Sequence, residues 1–277
     1  MKQKLLRYKF IRRLIAPFFS PNTKAKFIFI VGCYNSGTTL LNYFLSQHSE
    51  ISGLHTEGIQ LTDELTGPEA FGWNRMWCMC RDKLEISQLD KKPDADQVKR
   101  DWALWFDRKE NFWLEKSIIN SLNIDWFEEN FNHPYFVHIV RNGYAASEGI
   151  WRRTQPVGKH PSSYPNGYPM ELCARQWVVS NRVIQEKLSS VQHFKKITYE
   201  DLTENPTDTL ASILHWLPVR DKTLVLPHDF TFQSRTRKIE NMNADSMSRL
   251  TEEDMYSINA VAREMLKFQG YEVVEPG

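Results

Sequence analysis

The sequence predicts an α/β protein in which helices flank a parallel β-sheet. Two observations support this fold class. From residue 27 onward, short apolar runs rich in β-forming residues alternate with amphipathic runs of helical period. One of the β-like runs also leads through a glycine-containing loop directly into a helical run. A chain of 277 residues is long enough to bury a large core around such a sheet.

The individual elements follow from these runs. Strands are predicted at Phe27–Val31, Phe112–Glu115, Tyr135–Val140 and Phe194–Thr198, with a further strand near Ile51–His55. Helices are predicted at residues 40–48, 96–108, 121–131, 143–154, 170–189, 207–217 and 251–268. Residues 58–95 have little periodicity and predict an irregular insertion. The stretch 155–169 is rich in Pro and Gly and predicts a long loop, of the kind that usually serves as a lid or binding loop.

The chain divides into a basic amphipathic segment, residues 1–26, and a single domain, residues 27–277. The first segment contains eight Lys or Arg residues and no Asp or Glu, and its apolar residues recur at helical spacing. This pattern is typical of a membrane-surface helix, with peripheral contact through residues 1–20, or of a docking segment for an acidic partner. It fits equally well a solvated helix that covers the domain.

The bulk composition argues against several classes of protein. A net charge of +1 is unlike that of a general nucleic-acid-binding protein, so we expect no nucleic-acid partner. The four cysteines form neither a zinc-binding pattern nor a disulfide framework, which favours a reducing, cytoplasmic setting. No apolar run is long enough to cross a bilayer. We therefore expect a cytoplasmic protein that associates, through its basic segment, with a membrane surface at most.

The loop after the first strand has the spacing of a phosphate-binding loop, GxxxxGK[ST]. Gly32, Gly37 and Thr39 are in register with that pattern, but Thr38 stands where lysine is usual. A threonine donates one hydrogen bond and brings no charge, so this loop is poorly matched to a metal-bound triphosphate. A phosphosulfate carries less charge and needs no metal to leave. The loop therefore favours an adenylyl sulfate over ATP.

Basic residues follow two other predicted strands. Lys116 and Ser117 come directly after Phe112–Glu115, and Arg141 follows Tyr135–Val140. Ligands of open α/β sheets bind outside the carboxyl ends of the strands, so we expect these groups to converge near the loop. A ligand with more than one phosphate-like group would suit such an edge.

Three motifs in order, NSGTTLL, HIVRNGYA and ITYEDLTENP, resemble those of the sulfotransferases that use 3′-phosphoadenosine 5′-phosphosulfate (PAPS). The resemblance covers most of residues 27–270 and is closer to the Golgi-type and bacterial members than to the cytosolic ones. It implies a sulfotransferase-like P-loop fold. It also implies PAPS as co-substrate, adenosine 3′,5′-bisphosphate (PAP) as product, and no metal.

The resemblance assigns roles in donor binding. Ser36, Gly37, Thr38 and Thr39 would surround the 5′-phosphosulfate, and Arg141 would bind the 3′-phosphate. Two further residues would contact the nucleotide: Tyr199 at the adenine and Lys238, in RTRKIEN, at the 3′-phosphate.

The resemblance also implies the catalytic residues. Glu57, in GLHTEG, stands where Golgi-type relatives keep a catalytic carboxylate and would be the general base, with His55 as the second candidate. Lys116, in LEKS, would lie near the sulfuryl group that is transferred.

Two positions depart from the family pattern. Asn35 replaces the Lys or Arg that usually precedes SGTT; its amide can hydrogen-bond the bridging oxygen of the donor but brings no charge. Gly149 replaces a serine that usually binds the 3′-phosphate, a role that Ser147 or a backbone N–H would have to take over.

Two other functions fit the sequence. One is a phosphoryl-transfer P-loop enzyme that uses Mg-ATP, with Glu200 and Asp201 near the metal. The other is a catalytically degenerate protein that binds nucleotides or docks on membranes. The acceptor is not specified: a small molecule, a glycan, a lipid headgroup or a peptide fits. The oligomeric state is likewise not specified by the sequence.

Overall fold

The computed structural model describes residues 15, 25–107, 109–154, 164–224, 226, 230–232, 235–237, 239–275 and 277. Its main feature is a five-stranded sheet of β1 Lys26–Val31, β2 Ile51–Gly53, β3 Phe112–Glu115, β4 Tyr135–Val140 and β5 His193–Thr198. All five strands are parallel, in the order β2-β3-β1-β4-β5. A separate antiparallel hairpin pairs β6 Phe230–Phe232 with β7 Arg235–Arg237. The predicted parallel α/β fold is confirmed.

Nine α-helices lie in the part of the chain that these ranges cover. They are α1 Thr38–Leu45, α2 Ala95–Ala103, α3 Ile124–Asn130, α4 Gly143–Thr154, α5 Met170–Leu188, α6 Tyr199–Glu204, α7 Pro206–Trp216, α8 Asn243–Met247 and α9 Glu252–Gln269. Between β2 and α2 the chain forms only short 3₁₀ turns, which confirms the predicted irregular insertion at 58–95.

Both faces of the sheet are buried, which explains why its central strands read as continuous apolar runs. On one face of β1, Phe27 and Phe29 pack into an aromatic cluster with side chains of α2 and α3. On the other face, Ile28 and Ile30 pack with α1 and α7. Large buried side chains on both sides therefore fix the sheet between its helical layers.

The strand register brings the predicted ligand-binding positions to one edge. Phe29 of β1 lies opposite Glu115 of β3 on one side and Phe136 of β4 on the other. Since the strands are parallel, the segments that begin at Gly32, Lys116 and Arg141 all leave the sheet at its carboxyl edge. This is the convergence that the sequence predicts.

The boundaries differ from prediction in a few places. The second strand ends at Gly53 rather than near His55, and the predicted helix 121–131 is a 3₁₀ turn, Ile118–Leu122, followed by α3. Helices α6 and α8 and the β6-β7 hairpin were not predicted, because elements of three to six residues are too short to show a period.

Several predictions fall on residues outside the described ranges. These are Lys238, the segment 1–26 except Ile15, Ala25 and Lys26, and residues 155–163 of the predicted long loop. Ile15 packs against Leu104. Within the described ranges, no helix has the length and apolar character that crossing a membrane requires.

Candidate active site

The loop between β1 and α1 has little space for side chains at its two glycines. A Cβ on Gly32 would lie 2.6 Å from the carbonyl oxygen of Ile139. Gly37 has φ +88°, in the left-handed region that favours glycine, and a Cβ there would lie 2.7 Å from the ring of Tyr199. Both glycines of the predicted motif are therefore required by the path of the backbone.

The loop presents polar groups that no other described residue binds. Ser36 is fully buried, and neither its hydroxyl nor Nδ2 of Asn35 has a hydrogen-bond partner among the described residues. Gly37 is the N-cap of α1, and no side chain caps this helix. The first-turn N–H groups of Thr38 and Thr39 have no intrahelical acceptor. Unsatisfied donors at a helix N-terminus fit an anionic phosphosulfate.

Arg141 is buried beside this loop, with only 7% of its surface exposed. Its guanidinium donates to the carbonyl of Asn35 (2.8 Å), to Oδ1 of Asn243 (2.8 Å) and to Oγ of Ser246 (3.4 Å). The two carboxylates whose charges act on it have other partners: Glu148 pairs with Arg152 and Arg249, and Glu200 accepts hydrogen bonds from Asn142 and Asn243. Burial lowers the pKa of the Arg141 side chain. Three of its five N–H donors are used, so two are left for an anion.

Tyr199 lies below the loop rather than at its rim. Its ring is buried, packs on the guanidinium of Arg141 at 4.3 Å and faces Gly37. Its hydroxyl donates to the carbonyl of Glu240 and accepts from the N–H of Met242, both at 3.2 Å. In this structure the tyrosine thus supports the loop and Arg141, and its predicted contact with adenine stays a prediction.

The two departures from the family pattern contact each other. The three atoms nearest to a Cβ built on Gly149 all belong to Asn35, at 2.9, 3.1 and 3.4 Å. Asn35 itself has φ 61°, a left-handed conformation that asparagine adopts more readily than most residues. Ser147 is buried and donates to the carbonyl of Gly143 at 2.6 Å, so its hydroxyl hydrogen is used within α4.

The two predicted catalytic side chains form an ion pair. Nζ of Lys116 lies 2.6 Å from Oε1 of Glu57, and the two side chains are 12% and 28% exposed. The pair is therefore partly shielded but still reachable from solvent. His55, the second candidate base, is exposed and its ring packs beside Trp105 at 5.0 Å.

Glu115 is a site residue that the sequence analysis missed. It is fully buried and accepts hydrogen bonds from the N–H of Gly58 (2.7 Å), from Oγ of Ser117 (2.5 Å) and from the amide of Asn120. Burial raises the pKa of this carboxyl to about 7, although the bonds from Ser117 and Gly58 act in the opposite direction. A glutamate that ends an otherwise apolar strand is the signal that could have found it.

The carboxylates that the Mg-ATP alternative invoked have other partners. Glu200 accepts from the N–H of Asn142, from Nδ2 of Asn243 and from the hydroxyl of Tyr271. Asp201 and Thr198 form reciprocal hydrogen bonds at the start of α6. The contacts of Glu200 join the segment after β4 to α8 and to Tyr271, which follows α9, and so hold α8 beside the Arg141 side chain.

A family model decides the relationship of this chain to known proteins. The model of the Sulfotransferase family matches residues 28–222, which is well over half of the chain. The chain belongs to the sulfotransferase family. The predicted resemblance is thereby confirmed, and the loop, Lys116 and Arg141 all lie within the matched range.

Individual sulfotransferases are distant in sequence. Protein-tyrosine sulfotransferase 1 of Danio rerio is 25% identical over 232 residues, which are 79% of this chain and 60% of that protein. The chain thus spans less than two thirds of the length of this relative. Two solved structures share the fold. A sulfotransferase domain from the curacin biosynthetic pathway has a TM-score of 0.59 and 17% identity, covering 90% of this chain and 99% of that one. Sulfotransferase STF1 from Mycobacterium tuberculosis has a TM-score of 0.53 and 12% identity, covering 96% and 81%.

Charged side chains of the irregular insertion adjoin the loop on the side of Glu57. The guanidinium of Arg75 lies 5.6 Å from the ring of Tyr34, the residue that precedes Asn35. Burial, and then the negative charges of Glu69 and Glu57, raise the pKa of Tyr34. In this member of the sulfotransferase family, the insertion therefore contributes to the surroundings of the candidate base.

Proposed function

We propose that this protein transfers a sulfuryl group from PAPS to a hydroxyl or amine of an acceptor, with Glu57 as general base. The observation that carries the proposal is the Glu57–Lys116 ion pair. It joins a carboxylate and an ammonium group at the same sheet edge as the phosphate-binding loop and Arg141. A proton acceptor, a cation and an anion-binding loop in one place are the groups that sulfuryl transfer needs.

Donor binding is supported by polar groups that lack hydrogen-bond partners among the residues of known position. Ser36, Thr38 and Thr39 offer hydroxyl or N–H donors at the start of α1, where the 5′-phosphosulfate would bind. Arg141 has two N–H donors left for the 3′-phosphate, and Asn35 joins it to the loop through its carbonyl. PAPS fits this set because it carries anionic groups at both the 5′ and the 3′ position.

The reaction assigns a separate task to each catalytic side chain. Glu57 takes the proton from the acceptor while the acceptor oxygen or nitrogen forms a bond to sulfur. The bond between sulfur and the bridging oxygen breaks, and its electron pair leaves with PAP. Lys116 and the loop donors stabilise the negative charge on the sulfuryl oxygens and on the leaving phosphate. The Glu57–Lys116 contact fixes the direction of the carboxylate before the acceptor arrives.

Acceptor choice is attributed to the insertion at residues 58–95 and to the loop at 155–169. The Danio rerio relative is by name a protein-tyrosine sulfotransferase, which makes a peptidyl tyrosine one acceptor to test. Small alcohols, glycans and lipid headgroups belong in the same test. We propose a cytoplasmic location, in which the basic N-terminal segment would be the part that contacts a membrane surface.

The first experiment is incubation with ³⁵S-labelled PAPS and a library of these acceptors, beside calorimetric titration with PAP. We expect label transfer to one acceptor class and PAP binding without added metal. Absence of PAP binding would overturn the proposal. Tighter, Mg²⁺-dependent binding of ATP would favour the phosphoryl-transfer alternative. Tight PAP binding without transfer to any acceptor would favour a degenerate nucleotide-binding protein.

A further inference from the structure

The end of β3 binds the segment that carries the candidate base, residues 57–59, which we call the base segment. The carboxylate of Glu115 accepts from the N–H of Gly58, and Oγ of Ser117 accepts from the next N–H along the segment at 3.3 Å. Ser117 in turn donates to Glu115. Together with the Lys116 ion pair, the last residue of β3 and the two residues that follow it therefore contact three consecutive residues of the base segment.

The opposite side of the base segment is also fixed. Nε1 of Trp102 donates to the carbonyl of Gly58 at 2.9 Å. A Cβ on Gly58 would lie 2.7 Å from the ring of Trp102 and 2.8 Å from the side chain of Glu115. Residue 58 is thus enclosed between the two side chains, and its peptide groups are oriented by both. The N–H that Glu115 binds belongs to the peptide group that joins Glu57 to Gly58.

The charge of Glu115 is not neutralised by an ion pair with any described residue. Lys116, the nearest cation in sequence, is bonded to Glu57. The charged groups that act on Glu115 are Lys116 and Glu57, while Trp102 and Asn120, from the helical turns packed around it, do not titrate. Gly58 and Ser117 donate to Oε1 and Asn120 donates to Oε2, so the ionised carboxylate is hydrogen-bonded at both oxygens, whereas burial favours the neutral acid.

We propose that Glu115 is a positioning residue: its ionised carboxylate holds the N–H of Gly58 and thereby fixes Glu57 for proton abstraction. Protonation of Glu115 removes the charge that strengthens this hydrogen bond, which loosens the base segment and lowers the rate of transfer. The pKa of about 7 puts this change in the neutral range. The ionised form, and with it the activity, is present above that pH and is lost as the pH falls through it. The inference rests on the proposed function only for its effect on rate.

The test uses two substitutions of the same residue. Glu115→Gln retains an oxygen that can accept from Gly58 and Ser117 but cannot titrate, and the amide of Asn120 can turn to meet it. Glu115→Leu removes the acceptor altogether. Glu85→Gln is the matched control, because Glu85 is also a buried carboxylate but pairs with Arg81 and Lys187, which lie outside the base segment.

The first readout does not depend on activity. Amide hydrogen exchange at Gly58, corrected for the intrinsic effect of pH, should accelerate in the wild type as the pH falls from 8 to 6. Glu115→Gln should abolish that pH dependence, Glu115→Leu should give fast exchange at both pH values, and Glu85→Gln should match the wild type. Exchange that is the same in all four proteins would overturn the inference, whether or not the protein transfers sulfate.

The second readout is the pH profile of kcat. We expect an acid limb near pH 7 in the wild type that moves in Glu115→Gln, and a loss of kcat of about 10- to 100-fold in Glu115→Leu with PAP affinity unchanged. An unchanged acid limb in Glu115→Gln would refute the rate effect. If Glu115→Leu does not fold, the Glu115→Gln profile alone decides. Hydrogen exchange as expected in a protein that transfers nothing would contradict the proposed function but not the role of Glu115 in holding the segment.

Discussion

The close approach of Gly149 and Asn35 predicts that the effect of Gly149→Ala on stability changes sign with the side chain at residue 35. A methyl group at position 149 would lie 2.9 Å from Cβ of Asn35, closer than such atoms approach. Overpacking of this kind typically costs about 1–3 kcal/mol. Alanine in place of glycine inside a helix is otherwise favourable by about 0.5–1 kcal/mol. Gly149→Ala should therefore destabilise the wild type but stabilise a protein in which residue 35 has no side chain.

The protein without a side chain at residue 35 is the Asn35→Gly variant. Glycine accepts the left-handed φ of 61° without strain, and its carbonyl can still accept from Arg141. Urea unfolding of the wild type, both single variants and the double variant gives a complete double-mutant cycle. We expect the two substitutions to be coupled by about 1–3 kcal/mol.

Additive effects in this cycle would refute the reasoning. They would mean that α4 or the loop moves apart at little cost and that the two positions are independent. PAP affinity measured in the same four proteins gives a second check. Gly149→Ala alone should weaken PAP binding because it displaces the loop from Arg141, and removal of the Asn35 side chain should restore part of the loss.

Three further predictions follow from the same site. Glu115→Gln should raise the free energy of unfolding at pH 8 but not at pH 4. Burial raises the pKa of this carboxyl from 4.5 to about 7, so its ionisation destabilises the fold by about 3 kcal/mol once the pH exceeds both values. Denaturant unfolding at pH 8 and at pH 4 measures this difference. Arg141→Gln should weaken PAP binding by about tenfold or more and leave adenosine 5′-phosphate binding much less affected; equal losses, by calorimetry, would contradict a 3′-phosphate contact. Lys116→Met should lower kcat by about 10²–10³-fold with a small change in PAP affinity; a mainly binding defect would assign Lys116 to the donor instead.

The sheet could be predicted from sequence because its strands carry a strong local signal. Tyr135–Val140 is apolar except for His138 and is bounded by a polar residue at its end, so both its extent and the position of Arg141 follow from the sequence. Parallel strands share a carboxyl edge, which is why Lys116 and Arg141 could be expected to converge there. Helix α8 gives no such signal, since five residues do not complete two helical turns.

The contacts within the site could not be predicted in the same way. Glu115 binds the N–H of Gly58, which lies 57 positions earlier in the chain, and the sequence around neither residue predicts that hydrogen bond. Asn35 and Gly149 look like two separate losses in the sequence, and only the fold brings them into contact. Tyr199 lies within a family motif, but its position beneath the loop depends on the close approach of its ring to Gly37.

The measurement that tests the central claim most directly is sulfuryl transfer by Glu57→Gln. Glutamine has nearly the same shape as Glu57 and can still accept from Lys116, but it cannot take a proton from the acceptor. With ³⁵S-labelled PAPS and the acceptor that the wild type uses, we expect transfer to be abolished while the affinity for PAP stays near that of the wild type. Transfer at the wild-type rate would contradict the assignment of the base. A large loss of PAP affinity would show that Glu57 supports the structure of the site rather than its chemistry.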